Sequence, residues 1–368
     1  MRDVRVQKVR GLLKEKNASA FFVTNPKNVF YLAGFIGISP HEREATALIT
    51  EEKVLVFLPK MYKQQGEALQ KYLPDLELVV DHERYGLLTS FVRYVSTSDK
   101  ILIEKNNLTL AEFEKISHTT QAQLMPETGV VESLRNIKDP EEVACIQKAV
   151  DISEQVLGEV KKLLAHQQLH SEWEVAHEMH RLAVHYGADG VGFDSIVASG
   201  KHAAEPHYKT GRHALQQNQC LLLDFGFTYH GYTADVTRTV CLGKAPKQFY
   251  DVYSRVKECA DICIAACKPG TLTKELFDLS WNYFKKYSLE GYYLHSLGHG
   301  LGLDVHESPS LGSSQETVLK PGMVVTIEPG LYFAGEFGVR IEDDILITET
   351  GYRLLTKSTR ALAEISQK

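Results

Sequence analysis

The sequence lacks any long hydrophobic run. No apolar stretch approaches the roughly 18 to 20 residues that a membrane-spanning helix requires. The first eight residues also contain no apolar core of the kind found in a signal peptide. We therefore expect a cytoplasmic protein that has no membrane partner.

The sequence also contains few cysteines and carries no excess of positive charge. The six cysteines among 368 residues show no pattern of a disulfide framework. Cys259, Cys263 and Cys267 fall on one face of a predicted helix, and their spacing is not that of a usual zinc or iron–sulfur motif, so we predict that they pack in the core. The net charge of −6 at pH 7 disfavours nucleic acid as a partner.

The length of 368 residues is long for one domain and predicts two. Helix and strand patterns alternate over residues 1–133, which predicts an α/β N-terminal domain. We see no convergent set of metal ligands in this part of the sequence. Asn25-Pro26 and Ser39-Pro40 predict turns. The main elements expected here are a helix at 4–15 and strands at 20–24, 54–58 and 101–103.

A second domain is predicted over residues 134–368. Asp139 followed by Pro140 is typical of a helix start, and this helix is expected to run to about residue 164. Ser171 is expected to cap the next helix. Short strands dominate from about residue 191 onward and are interrupted by helices, which predicts an α+β fold. The later helices are expected at 171–185, 246–268 and 274–286.

Five polar residues stand at the ends of apolar or strand-like runs in the second domain. They are Asp224, Asp235, His299, Glu328 and Glu342. A hairpin between Gly226 and Gly231 would bring the two aspartates to one end of a ribbon, where they need cations or one of them stays protonated. This oxygen-rich set favours manganese, iron or cobalt in a water-activating role over a closed structural zinc site.

Each of these residues also has an ordinary interpretation when it is taken alone. Asp224 is typical of a turn cap, His299 lies in a glycine-rich turn, and Glu342 is typical of a solvated strand end. Only the joint set favours a metallohydrolase. His177 and His180 resemble a zinc-protease motif, but they are three rather than four positions apart, so we interpret them as part of an ordinary helix face. The sequence contains no Gly-x-Ser-x-Gly motif.

These residues, in this order, resemble the pita-bread metallopeptidase family, which includes prolidase (Xaa-Pro dipeptidase), aminopeptidase P and methionine aminopeptidase. Residues 25–35 are similar to the prolidase and aminopeptidase P branch. The resemblance implies a creatinase/prolidase-like N-terminal domain over 1–133 and an α+β pita-bread catalytic domain over 134–368. The similar stretches of the second domain are 193–207, 221–239, 295–307, 324–332 and 338–347.

The resemblance implies a centre of two divalent ions, manganese in the first place and cobalt, iron or zinc as alternatives. The five residues above would hold them, with Asp235 and Glu342 bridging, and Glu328 would also carry a proton to the leaving nitrogen. The roles implied for the other residues are substrate and oxyanion contact by His207 and His306, a place near the scissile bond for His295, and support of a ligand carboxylate by Arg340.

The implied activity is hydrolysis of the Xaa-Pro bond at the N-terminus of short peptides. Phe193 is the residue type that is more similar to prolidases at this position, whereas His207-Tyr208 is more similar to aminopeptidase P. The prediction leans toward the dipeptidase, and aminopeptidase P acting on longer peptides is the alternative. A creatinase-like enzyme or a non-catalytic binding homologue would be expected to lack the ligands, and a minimal methionine aminopeptidase would lack the first domain. The family also implies a homodimer.

Overall fold

The computed structural model describes residues 2–38, 42–71, 73–81, 86–314 and 316–366. The chain divides into two compact units, Met1–Leu134 and Arg135–Lys368. Within the described ranges, no helix combines the length and the apolar character needed to cross a bilayer. The turn predicted at Ser39-Pro40 lies outside the described residues.

The N-terminal unit is built on a mixed six-stranded sheet. Its strands are β1 (Ala20–Val23), β2 (Thr46–Thr50), β3 (Val54–Pro59), β4 (Leu76–Asp81), β5 (Lys100–Glu104) and β6 (Gln123–Glu127). Its helices are α1 (Arg2–Glu15), α2 (Pro26–Ala33), α3 (Lys63–Leu69), α4 (Leu110–Thr119) and α5 (Val130–Arg135). The strand order is β4-β3-β2-β1-β5-β6, and β2 is antiparallel to both of its neighbours.

The apolar runs of the sequence form the centre of this sheet. The strands predicted at 20–24, 54–58 and 101–103 are β1, β3 and β5, and the helix predicted at 4–15 is α1. The prediction of a turn at Asn25-Pro26 is wrong. The Asn25 side chain accepts hydrogen bonds from the backbone N–H groups of Lys27 and Asn28 and so caps α2, because Asn-Pro is also a favourable start for a helix.

The C-terminal unit combines long helices with several small sheets. Its helices are α6 (Pro140–Ala165), α7 (Glu172–His185), α8 (Lys247–Ala266) and α9 (Thr273–Lys286). Its strands are β7 (Gly190–Val191), β8 (Ile196–Ser199), β9 (Gln219–Phe225), β10 (Phe227–Tyr229), β11 (Tyr232–Thr233), β12 (Val236–Leu242), β13 (His299–Gly300), β14 (Glu307–Ser310), β15 (Val324–Ile327), β16 (Gly330–Phe333), β17 (Phe337–Arg340), β18 (Asp343–Ile347), β19 (Tyr352–Leu354) and β20 (Glu364–Ile365).

Two of these sheets carry the candidate ligands. One has the order β20-β12-β9-β8, and the other has the order β14-β13-β15-β18-β19. The Glu342 N–H donates to the Thr237 carbonyl over 3.1 Å and links the start of β18 to β12. The ends of the strands of both sheets therefore meet at one place.

Local capping explains where the first two helices of this unit begin. The Asp139 side chain accepts from the backbone N–H groups of Glu141 and Glu142 at the start of α6, and the Ser171 hydroxyl accepts from the N–H of Glu174 at the start of α7. Cys259, Cys263 and Cys267 are at most 1% exposed, so their predicted core packing is confirmed. The helix pattern in the sequence thus located this part of the fold correctly.

Candidate metal centre

A cavity of about 860 Å³ opens in the C-terminal unit where the two sheets meet. Its lining contains every residue to which the sequence analysis assigned a role. These are His207, Asp224, Asp235, His295, His299, His306, Glu328, Arg340 and Glu342. Side chains that lie more than a hundred positions apart along the chain therefore converge on one cavity.

The two aspartates reach the cavity through a pair of antiparallel strands. Asp224 on β9 lies opposite Thr237 on β12, and Asp235 directly precedes β12. Between them, β10 and β11 form a tight hairpin whose turn residues, His230 and Gly231, have φ angles of 48° and 80°. Positive φ at both turn residues matches the natural twist of a two-residue hairpin, so the turn returns the chain to the same end of the ribbon.

The backbone on both sides of His299 in β13 packs very closely against neighbouring segments of the chain. A Cβ atom at Gly298 would lie 2.1 Å from the Thr326 carbonyl oxygen, and one at Gly300 would lie 2.2 Å from the Ser308 carbonyl oxygen. Only glycine fits at both positions. The flanking glycines therefore set the depth at which the imidazole enters the cavity.

The candidate ligand atoms lie close to one another. One ligand atom from each of Asp235, His299 and Glu342 lies within 4.8 Å of the other two. His299 Nε2 lies 3.4 Å from Glu328 Oε1 and 3.7 Å from Asp235 Oδ2. His299 Nδ1 lies 3.1 Å from the Gly300 carbonyl oxygen, which can only accept, so Nδ1 carries the proton and Nε2 presents its lone pair to the carboxylates.

The protein compensates only part of the negative charge of this cluster, through Arg340. Burial, reinforced by the neighbouring carboxylates, raises the pKa of Asp235 and of Glu342 well above their ordinary values. Burial also raises the pKa of Glu328 to about 8 and lowers the pKa of His299 to about 4. A neutral imidazole beside crowded carboxyl groups is the arrangement that bound cations would stabilise.

Among the candidate ligands, three buried carboxylate oxygens have no hydrogen-bond partner in the described part of the chain: Asp224 Oδ1, Asp235 Oδ1 and Glu342 Oε1. The other oxygen is held by the protein in two of these groups, by Arg340 for Asp224 and by the Thr237 hydroxyl (2.6 Å) for Glu342. Leaving a buried oxygen unpaired is costly unless something positive binds it. The donor set therefore fits divalent metal ions.

Arg340 anchors a network behind the ligands. Its guanidinium donates to Asp224 Oδ2, to the Thr237 hydroxyl over 3.1 Å and to the Tyr332 hydroxyl over 2.8 Å. The Tyr332 oxygen also lies 2.8 Å from Nε2 of His295. Because His295 Nδ1 faces the Ser296 carbonyl at 2.7 Å and must donate to it, Nε2 accepts from Tyr332.

The remaining histidines flank the cavity. The rings of His306 and His299 meet edge to face with centroids 4.3 Å apart, and burial lowers the pKa of His306. His207 is exposed and lies beside Tyr208 on the cavity wall. These two side chains are near the candidate ligands without holding them, which leaves them available to a bound molecule.

Sequence reasoning did not identify Tyr332 and Thr237. Tyr332 touches both Arg340 and His295, and Thr237 touches both Arg340 and Glu342. The only signal for Thr237 was its place in a run of alternating threonines after Asp235, and Tyr332 gave no charge pattern at all. Both act through contacts that only the folded chain creates.

Comparison with known families agrees with this geometry. Residues 144–349 match metallopeptidase family M24, and residues 5–137 match the creatinase/prolidase N-terminal domain. The chain belongs to metallopeptidase family M24. It is a metal-dependent peptidase with an α/β N-terminal part and the α+β pita-bread fold in its catalytic part.

Individual relatives cover nearly the whole chain. An uncharacterized peptidase of Staphylococcus aureus (strain USA300) is 34% identical over 354 residues, which cover 96% of this chain and 98% of that protein. The solved structure of an Xaa-Pro dipeptidase from Bacillus anthracis is similar with a TM-score of 0.91 and 29% identity, covering 99% of both chains. That of an X-Pro aminopeptidase from Thermotoga maritima has a TM-score of 0.86 and 29% identity, covering 97% of this chain and 99% of the other.

Proposed function

We propose that this peptidase hydrolyses the Xaa-Pro bond at the N-terminus of short peptides and acts foremost as an Xaa-Pro dipeptidase. The observation that carries the proposal is the set of carboxylate oxygens in the cavity to which the described residues offer no hydrogen bond, beside a histidine whose lone pair faces them. The similarity to a solved Xaa-Pro dipeptidase supports the substrate class. We further propose a homodimer in the cytoplasm.

The metal ligands in this proposal are Asp224, Asp235, His299, Glu328 and Glu342. Two divalent ions, manganese foremost, with cobalt, iron or zinc as alternatives, would supply an activated water and a polarised peptide carbonyl at this place. Asp235 and Glu342 would take part in holding both ions. Glu328 lies at the edge of the cluster nearest His299 and would carry a proton toward the leaving nitrogen.

The other polar residues would position the substrate. His207 and His306 would donate hydrogen bonds to the carbonyl oxygen as negative charge develops on it. His295 lines the cavity, but its Nε2 accepts from Tyr332, so we assign to it the orientation of the Tyr332–Arg340 pair rather than proton transfer. Arg340 in turn fixes the Asp224 carboxylate.

The proposed specificity has a chemical basis in the substrate. An Xaa-Pro bond is a tertiary amide, which has no N–H and carries a rigid ring. A site that polarises the carbonyl and accepts the ring requires no hydrogen bond from that nitrogen. Aminopeptidase P activity on longer peptides is the second candidate, since the solved X-Pro aminopeptidase resembles the chain at the same 29% identity.

A substrate series tests the proposal. Xaa-Pro peptides of two to five residues, together with the matching Xaa-Ala peptides, are offered to the chelated protein after addition of manganese, cobalt, zinc or iron. We expect hydrolysis before proline only, with dipeptides cleaved at least as well as tripeptides. Preference for longer peptides would assign the aminopeptidase, and equal cleavage before alanine would contradict the proline specificity. His180→Ala, at an exposed position of α7 outside the cavity, serves as the control variant and should show the same substrate preference as the wild-type protein.

A further inference from the structure

A second group of metal-ligand side chains lies outside the cavity of the candidate metal centre. One ligand atom from each of Glu172, His202 and His213 lies within 4.8 Å of the other two. Glu172 is the first residue of α7, His202 lies in the turn after β8, and His213 lies in the loop before β9. The proposed peptidase chemistry uses none of the three.

Glu172 is the fixed member of this group. Its side chain is fully buried, and Oε1 accepts from His202 Nδ1, from the Ser199 N–H and from the Ser199 hydroxyl, each over 2.8 Å. Burial alone would raise the pKa of Glu172, but these hydrogen bonds and one from the Tyr208 hydroxyl outweigh it and lower the pKa. The group is therefore a buried carboxylate that stays ionised.

His202 is oriented from two sides. Its ring stacks on Tyr208 with centroids 4.8 Å apart and an interplanar angle of 4°. Because Nδ1 donates to Glu172, Nε2 is left with its lone pair, as in the carboxylate–histidine pairs that support metal ligands. Glu172 therefore holds His202 in the tautomer that a metal-binding histidine requires.

His213 brings a second imidazole to the same place. Its ring centroid lies 4.3 Å from that of His202, and its backbone carbonyl accepts from the Glu172 N–H over 3.0 Å. The residue is exposed, so its side chain has freedom to turn. Both histidines line a separate cavity of about 570 Å³ that gives an ion access from solvent.

We propose that His202 Nε2 and His213 bind a borderline transition-metal ion such as Zn²⁺, Ni²⁺ or Cu²⁺, with Glu172 holding His202 in its binding tautomer. Two imidazoles favour these ions, whereas the oxygen-rich centre favours harder ones. Ligand atoms around a tetrahedral zinc ion lie about 3.4 Å apart, so the exposed His213 closes on His202 when the ion binds. Tyr208, which stacks on His202, also lines the cavity of the candidate metal centre, so the ion orders one part of its wall.

Equilibrium binding of Zn²⁺ and Ni²⁺ to the tag-free, chelated full-length chain tests this proposal. The background is Asp235→Asn/Glu342→Gln, which weakens the candidate metal centre, and a chromogenic indicator competes for the ion. We expect one bound equivalent in this background and in His180→Ala added to it. His213→Ala and His202→Asn are expected to weaken that equivalent at least about tenfold.

The exposed position of His213 makes its variant the decisive one, because the loss of an exposed side chain leaves the fold in place. An unchanged stoichiometry with an affinity within twofold for His213→Ala would overturn the proposal. The measurement uses no substrate. A protein that binds this ion but cleaves no Xaa-Pro peptide would thus separate failure of the proposed function from failure of the second site.

Discussion

Removal of divalent ions is expected to make the stability of this protein fall as the pH rises. Burial raises the pKa of Glu328 from its ordinary 4.5 to about 8, and the pKa values of Asp235 and Glu342 rise as well. A carboxyl group whose pKa is higher in the folded than in the unfolded chain stabilises the fold below its unfolded pKa. This stabilisation is lost as the pH rises through the folded pKa.

The pH window follows from the histidines of the same cavity. Burial lowers the pKa of His299 to about 4 and that of His295 to about 3, so both weaken the fold as the pH falls below their ordinary 6.5. Between 6.5 and 8 the two histidines are neutral in the folded chain and lose their remaining protons only in the unfolded chain, which offsets part of the carboxyl effect without exceeding it. Each pH unit over which the folded chain binds one extra proton lowers the free energy of unfolding by about 1.4 kcal/mol, so Glu328 alone accounts for about 2 kcal/mol across this window.

Urea unfolding of the chelated protein at both ends of the window measures this effect. We expect the free energy of unfolding to be about 2 kcal/mol lower at the upper pH and to recover when manganese is added. Glu328→Gln should flatten the dependence, whereas Glu349→Gln, at an exposed turn position, should leave it unchanged. A chelated wild-type protein that is equally or more stable at the upper pH would refute the reasoning.

Three further substitutions test separate parts of the structure. Asp235→Asn should abolish hydrolysis and reduce bound metal in elemental analysis; full activity with unchanged metal would contradict the proposed ligand set. Arg340→Lys breaks the fork to Asp224 and Tyr332 and should cost about 3 kcal/mol in thermal unfolding, and a change below about 1 kcal/mol would show that the network is dispensable. Asp139→Ala removes the cap of α6 and should cost about 1 kcal/mol with kcat unchanged, and a loss of kcat at full stability would argue against a purely structural cap.

The sequence predicted those parts of the molecule that short patterns encode. The helices α6 and α7 begin at a cap that the sequence displays, and strands β9 and β15 are apolar runs that lead to Asp224 and Glu328. A carboxylate at the end of a buried strand is conspicuous because solvent or a cation must compensate it. The candidate ligands could therefore be proposed as a joint set before any coordinates were known, although none of them is distinctive alone.

Contacts between distant segments could not be predicted in this way. Tyr332 gains its position only because β16 pairs with β17 and turns its hydroxyl toward Arg340, and nothing in the local sequence announces that pairing. The same holds for His202 and His213, which meet through Glu172 at the start of α7. Conversely, Asn25-Pro26 fitted two local structures equally well, and packing of α2 against α1 and β2, which buries Val29 and Leu32, favours the helix.

The distribution of the candidate ligands along the chain has a consequence for biosynthesis. Asp224 and Asp235 leave the ribosome long before Glu342, and the strand that begins after Glu342 pairs with β15 and β19. An emerging polypeptide therefore offers only two of the five candidate ligands until the sheet that carries the other three has formed. With the proposed ligand set, ion binding requires the finished fold, so a nascent or truncated chain is expected not to sequester metal from the cell.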